Sequence, residues 1–222
     1  MKRKIFKPVS YPETEVVILA GGQARRMNGI NKLLQKFDDE IQLIKIHQQL
    51  KSRATKVWVN SHRDHSIYER LIPSIGFFED EATGFQGPLM GMKSAWTHVQ
   101  SDYVLFVPCD VTFIPKKVFS RLHQAMQQDP NCGVVIVEIN DRALYPFCLL
   151  KRSSLPTLIQ HLEQNQRSLR QCFADLHPQV ARFKNHALFF HSINSLDELQ
   201  QHRQLNFLSI PQILKRGGLC RE

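Results

Sequence analysis

No apolar run in the sequence approaches the roughly 18 residues that a membrane-spanning helix needs. The basic opening, MKRKIFKPVSYPETE, has neither the apolar core nor the small-residue cleavage site of a secretory signal. It reads as a short solvated leader, and a cytoplasmic location without a membrane partner is expected. Cysteine is scarce: Cys109, Cys132, Cys148, Cys172 and Cys220 are odd in number and contain no CxxC pair. That argues against a disulfide framework or a thiolate zinc site and leaves buried free thiols as the expectation. The ten histidines show no HExxH-type grouping, so none is assigned to zinc. The net charge is +9, yet long lysine tracts, helix-turn-helix, zinc-finger and RNA-binding signatures are all missing. Nucleic acid is therefore not expected as a partner, and small phosphorylated ligands suit the charge better.

What is present is a chain of 222 residues, 42% hydrophobic, enough for one domain with its own core. Short β-branched and leucine-rich runs recur at Val16–Leu19, Val57–Val59, Val104–Val107 and Val134–Val137. Runs apolar on both faces suit strands covered on both sides, as in a parallel sheet. Helical spacing separates them. Ile41–Ser52 places Ile41, Leu43, Ile44, His47 and Leu50 around one side, and Leu89–Val99 and Pro115–Gln127 look similar. Pro115 is expected to open its helix, and Ser154 and Ser195 to begin two later ones as capping residues. The alternation predicts an α/β fold of three α/β/α layers around a Rossmann-like, mostly parallel sheet. No internal repeat interrupts it. The expected organisation is a leader at 1–14, a domain at 15–202 and a tail at 203–222, where IPQILKRGGL adds a short helix ended by Gly217.

The first strand runs into Ala20-Gly21-Gly22 and a polar, arginine-bearing loop that ends at Lys32. Ligands of open α/β sheets sit beyond the carboxyl ends of the strands, so this loop is well placed to hold one. Glycine lets the backbone approach phosphate oxygens and present N–H donors. Arg25, Arg26 and Lys32 add positive charge. The loop is neither GxxxxGK[ST] nor GxGxxG. On chemical grounds it is read as a site for a nucleoside triphosphate.

The full string LAGGQARRMNGINK resembles the signature of nucleotidyltransferases with the glycosyltransferase-A-like fold, and most of all the molybdenum cofactor guanylyltransferase (MobA) family. Further segments match in order. KVWVNSHR resembles the family's second-strand end, FFEDEATGFQGPLMGM its ED…GPLAGM segment, VLFVPCDVTFIP its strand and metal turn, and INSLDELQ its C-terminal VNTPEEL. The resemblance spans Val16 to Gln201. It implies a nucleotide-diphospho-sugar transferase fold and transfer of GMP from GTP to the terminal phosphate of molybdopterin, with pyrophosphate leaving. Mg2+ is the implied cofactor. GTP and molybdopterin are the implied small-molecule partners, with other cofactor-biosynthesis proteins as contacts.

Residue by residue, the resemblance gives Leu19, Ala20, Gly21 and Gly22 to the nucleotide and Lys32 to the triphosphate. Asn60 and Asp80 would contact base or sugar. Gly21 and the Gly87-Pro88-Leu89 run lean towards guanine, since related cytidylyltransferases read LAAG and lack GPLAG. Asp110, ending an apolar strand, is the implied Mg2+ ligand, since that ion takes one or two carboxylates beside phosphate oxygens. Arg26, Lys32 and Asp110 form the implied catalytic set, and Asn194 lies near the metal and the pterin. Cys109 is read as a buried thiol with no covalent role. Several positions depart from the family pattern: Asn28, Asn31 where aspartate is usual, CDVTFIP with one proline fewer, Tyr145-Pro146-Phe147 after the fifth strand, and Ser192 for the first asparagine of the C-terminal segment. Two other readings stay open at this point: a related nucleotidyltransferase with another nucleotide or acceptor, and a non-catalytic GTP-binding paralogue.

Overall fold

The computed structural model describes residues 11–22, 29–82, 84 and 86–209. The chain enters β1 (Thr14–Leu19) and passes a small hairpin, β2 (Lys36–Phe37) and β3 (Glu40–Ile41). It continues through α1 (Gln42–Leu50), β4 (Val57–Asn60), α2 (His65–Leu71), β5 (Gly76–Phe78), α3 (Pro88–Ala95) and β6 (Tyr103–Pro108). The second half holds α4 (Val118–Gln128), β7 (Val134–Ile139), β8 (Arg142–Lys151), α5 (Leu155–Glu163), α6 (Leu169–Ala174), β9 (Gln179–Phe183) and α7 (Leu196–Ser209). Helix α7 carries across the 202/203 boundary expected from the sequence, and IPQILKRGGL lies outside the described residues. Among the described residues no helix is long and apolar enough to cross a membrane.

Seven strands form one sheet in the order β5-β4-β1-β6-β8-β7-β9. Strand β8 runs antiparallel to β6 and β7, while β4–β5, β4–β1, β1–β6 and β7–β9 are parallel. The four strand runs read from the sequence are β1, β4, β6 and β7. Strands β5, β8 and β9 were hidden by short length or polar residues, as in GFF and QVARF. Alternation along each buried strand divides its side chains between two layers. Val16, Ile18, Leu105 and Val107 pack towards Leu43, Ile46, Phe119 and Leu122 of α1 and α4. Val17, Leu19, Val104 and Phe106 pack towards Leu89, Met92, Leu158 and Phe173 of α3, α5 and α6. Each such fully buried side chain contributes on the order of 2 kcal/mol of transfer free energy.

The helices differ in detail from their expected forms. In α1 the buried positions are Gln42, Leu43, Ile46 and Leu50, with Ile44 and His47 only half-buried. Pro115 does not open α4. It sits in the approach, where its carbonyl accepts from Val118 N at 3.0 Å, and the helix starts at Val118. Ser154 precedes α5 without capping it, because its hydroxyl donates to Gly133 O at 2.9 Å instead. Ser195 does cap α7, accepting from Glu198 N at 3.1 Å.

Far from the carboxyl ends of the strands, His123 of α4 is buried between Tyr11, Tyr103 and Thr14. Its ring stacks on Tyr11 at 5.4 Å and its Nε2 lies 2.7 Å from Thr14 Oγ1. Burial disfavours the imidazolium and brings the pKa from 6.5 down to about 4. The unfolded chain takes up that proton near 6.5 while the folded chain resists it until about 4. Stability from this group is therefore whole above 6.5 and is lost as pH falls towards 4, about 3 kcal/mol in all. Urea unfolding at stepped pH should show this slope, and His123→Gln should flatten it. An equal slope in the variant would assign the effect elsewhere.

Candidate active site

Register explains why residues far apart in sequence meet. Leu19 of β1 pairs with Asn60 of β4 and with Pro108 of β6, and Asn60 pairs with Phe78 of β5. The four strands thus end level. Chain order reverses at β1, which has β4 on one side and β6 on the other, and that switch point opens a crevice at the carboxyl ends. Beyond the level ends lie Ala20-Gly21-Gly22, Asp80 and Asp110. A cavity of about 310 Å³ occupies this crevice, and Leu19, Lys32, Asn60 and Gly87 line it as well.

At one end of the cavity Asn60 is buried, and its Nδ2 donates to Asp80 Oδ1 at 2.9 Å. The other oxygen of Asp80 lies 3.1 Å from His62 Nε2. The Asp80 side chain is 4% exposed, and these two contacts occupy both of its oxygens. Glycines make the room. A Cβ on Gly21 would stand 3.0 Å from Asn60 Oδ1, and one on Gly91 of α3 would stand 2.4 Å from the same atom. Gly22, by contrast, faces open space. Gly87 adopts φ +81°, a left-handed conformation suited to glycine, and hands the chain to Pro88 at the start of α3.

At the other end Lys32 and Asp110 line the cavity, and Asn194, outside its lining, meets Lys32. Lys32 Nζ donates to Asp110 Oδ2 and to Asn194 Oδ1, each at 3.2 Å. Asn194 is thus aimed at the lysine rather than at the start of α7, and Ser192 Oγ accepts from its Nδ2 at 3.1 Å. The serine that departs from the family pattern therefore props the asparagine that keeps it. Asn31 is likewise well accommodated. Its Oδ1 accepts from Leu33 N at 3.0 Å, and its amide donates to Asp64 Oδ2 and Tyr68 Oη, both at 2.6 Å. An aspartate there would bring a second carboxylate against Asp64 with no proton to share.

Cys109 lines the cavity, half-buried, beside Asp110. Burial, reinforced by the Asp110 carboxylate, pushes its thiol up to about 12. It is therefore a protonated, unreactive wall at neutral pH. Among the described residues the cysteines are free. Of the residues singled out from the sequence, Arg26 lies outside the described residues, as does Asn28. Arg63, which lines the cavity, and Gly91 behind Asn60 were not singled out in the sequence, and Pro146, which lines it too, entered only within a departure from the family pattern. Arg63 stands inside KVWVNSHR and Gly91 inside GPLMGM, so both had a local signal. Pro146 had none. It sits where β7 and β8 slip register, Ile136 facing Cys148 but Val137 facing Leu144. A proline without an N–H belongs at such an irregularity.

Asp110 could hold a hard divalent cation. Among the described residues no group of three or more histidine, cysteine or acidic side chains could do so. A lone strand-end carboxylate fits Mg2+, which keeps water and phosphate oxygens as most of its ligands.

The level strand ends and the switch-point crevice define a three-layer α/β fold, the one shared with nucleotide-diphospho-sugar transferases. The chain belongs to the MobA-like NTP transferase family, whose domain model matches residues 16–180. Over 195 residues it is 62% identical to the molybdenum cofactor guanylyltransferase of Acinetobacter baumannii, covering 88% of this chain and 93% of that one. The enzyme of the same name from Pasteurella multocida is 35% identical over 83% of this chain and 96% of its own. Among solved structures, molybdopterin-guanine dinucleotide biosynthesis protein A from Archaeoglobus fulgidus superimposes with a TM-score of 0.64. It is 19% identical, over 86% of this chain and 97% of that one.

Proposed function

We propose that this protein transfers GMP from GTP to the terminal phosphate of Mo-molybdopterin, giving molybdopterin guanine dinucleotide and pyrophosphate. The observation that carries this reading is the pairing, in one crevice, of a cradle made by Gly21, Asn60 and Asp80 with the Lys32–Asp110–Asn194 cluster. The cradle takes the nucleoside. The backbone of Ala20–Gly22 meets the phosphates, and Lys32 neutralises triphosphate oxygens as a compact charge. Mg2+ bound at Asp110 would shield phosphate charge and orient the α-phosphorus. The protein needs no covalent intermediate, in keeping with the protonated Cys109. Its work is alignment and charge cancellation. Arg26 completes the expected catalytic set from the glycine loop.

Calorimetry with Mg2+ should find GTP bound at least about tenfold more tightly than CTP or UTP, a difference of roughly 1.4 kcal/mol. Tighter binding of CTP would overturn the guanine assignment. Pyrophosphate release with molybdopterin supplied should follow, and GTP binding without release would overturn the transfer.

A further inference from the structure

The turn that aims Asp110 is held from three directions. Cys109 N donates to Leu19 O at 3.1 Å, and Ile193 N donates to Asp110 O at 3.0 Å. The carbonyls on either side of Asp110 meet one side chain: Gln42 Nε2 donates to Cys109 O at 3.1 Å and to Val111 O at 2.7 Å. Gln42 is 0% exposed in the first turn of α1, and neither the nucleotide cradle nor the lysine cluster includes it. Its orientation is fixed, because the amide oxygen in the same place would face two carbonyl oxygens. The cost of that orientation is visible: Oε1 is buried without a partner among the described residues. A buried acceptor left unpaired is unfavourable, so the two donated bonds are what keep this side chain here.

We infer that Gln42 is a positioning residue for Asp110, clamping the flanking carbonyls so that the carboxylate points at Lys32 and the cation. Without the clamp the Cys109 and Val111 carbonyls lose this donor, and the turn is free to swing about the bonds from Leu19 and Ile193. A shift of about 1 Å at such a group costs on the order of a hundredfold in rate. The inference rests on the proposed GTP-dependent, Mg2+-assisted reaction.

The test uses the full chain with Gln42→Met, which keeps length and apolar volume but removes both donors. Calorimetric GTP affinity in Mg2+ should fall roughly tenfold, while affinity in EDTA stays within about twofold. The turnover number should fall about 30-fold, with KM for GTP rising alongside the dissociation constant in Mg2+. On an Asp110→Ala background the same substitution should add nothing to the loss of Mg2+-dependent binding. Gln42→Asn, which retracts the amide by one methylene, should fall between, and gives the same readouts if Gln42→Met does not fold cooperatively. An equal loss of affinity in EDTA, a further loss on the Asp110→Ala background, or no change in either condition would overturn the inference. Failure of the unsubstituted chain to bind GTP in Mg2+ would overturn the functional reading itself, and this one with it.

Discussion

Asp110→Ala is expected to lower GMP transfer about a thousandfold while leaving the chain folded. The size follows from what the carboxylate faces. Asp110 is the acidic group of the Lys32 cluster, and its side chain is 20% exposed at the end of an apolar strand. Phosphoryl transfer leaves the protein mainly the cancellation of charge, so losing the group that would hold the cation removes most of its leverage. The stability cost is small by comparison. A partly solvated pair such as Lys32–Asp110, at 3.2 Å, is worth about 1 kcal/mol or less. Lys32 also keeps its bond to Asn194. Because these three side chains act as a unit, Lys32→Ala added to Asp110→Ala should cost far less than the product of the single losses. The check is single-turnover pyrophosphate release beside a thermal melt. Retained turnover in a folded Asp110→Ala protein would remove this residue from the reaction.

Gly91→Ala should weaken GTP binding about 30-fold, from roughly 2 kcal/mol of disrupted hydrogen bonding to a buried carboxylate. The added Cβ would stand 2.4 Å from Asn60 Oδ1 and 3.2 Å from Leu19 Cδ2, so a side chain must move. Asn60 is short, and its amide is tied to Asp80 at 2.9 Å. It can yield only by releasing that carboxylate. The same change favours helix α3 by about 0.5–1 kcal/mol, since alanine loses less backbone freedom than glycine on folding. The net loss of about 1–1.5 kcal/mol should lower the melting temperature by only a few degrees while affinity drops about 30-fold. Calorimetry beside a melt separates the two effects, and unchanged GTP affinity would show that the Asn60–Asp80 pair is not part of the nucleotide cradle.

Where a residue's position depends on the end of a strand, the sequence was enough to locate it. Asn60, Asp80 and Asp110 each follow an apolar run, and strands that end level bring such positions together. Lys32 and the glycines were legible through the same loop. Partners reached through the third dimension were not. Gln42 reads as an amphipathic helix position, and nothing in IQLIKIH says that its amide serves residues 109 and 111. Asn31 reads as a departure until Asp64 and Tyr68 are seen beside it. Strand β8 was obscured because Pro146 breaks its pattern where the ladder slips.

The contacts from the 192–194 segment place a condition on synthesis. Ile193 holds the Asp110 carbonyl and Asn194 holds Lys32, yet both emerge after the strands of the sheet. Domains fold as units, and this one is not whole until the segment carrying these braces has been made. A nascent chain released short of residue 194 would carry the sheet and the glycine loop without the braces that set the lysine and the aspartate. The crevice is finished last, so the lysine and the aspartate gain these braces only once residue 194 has emerged.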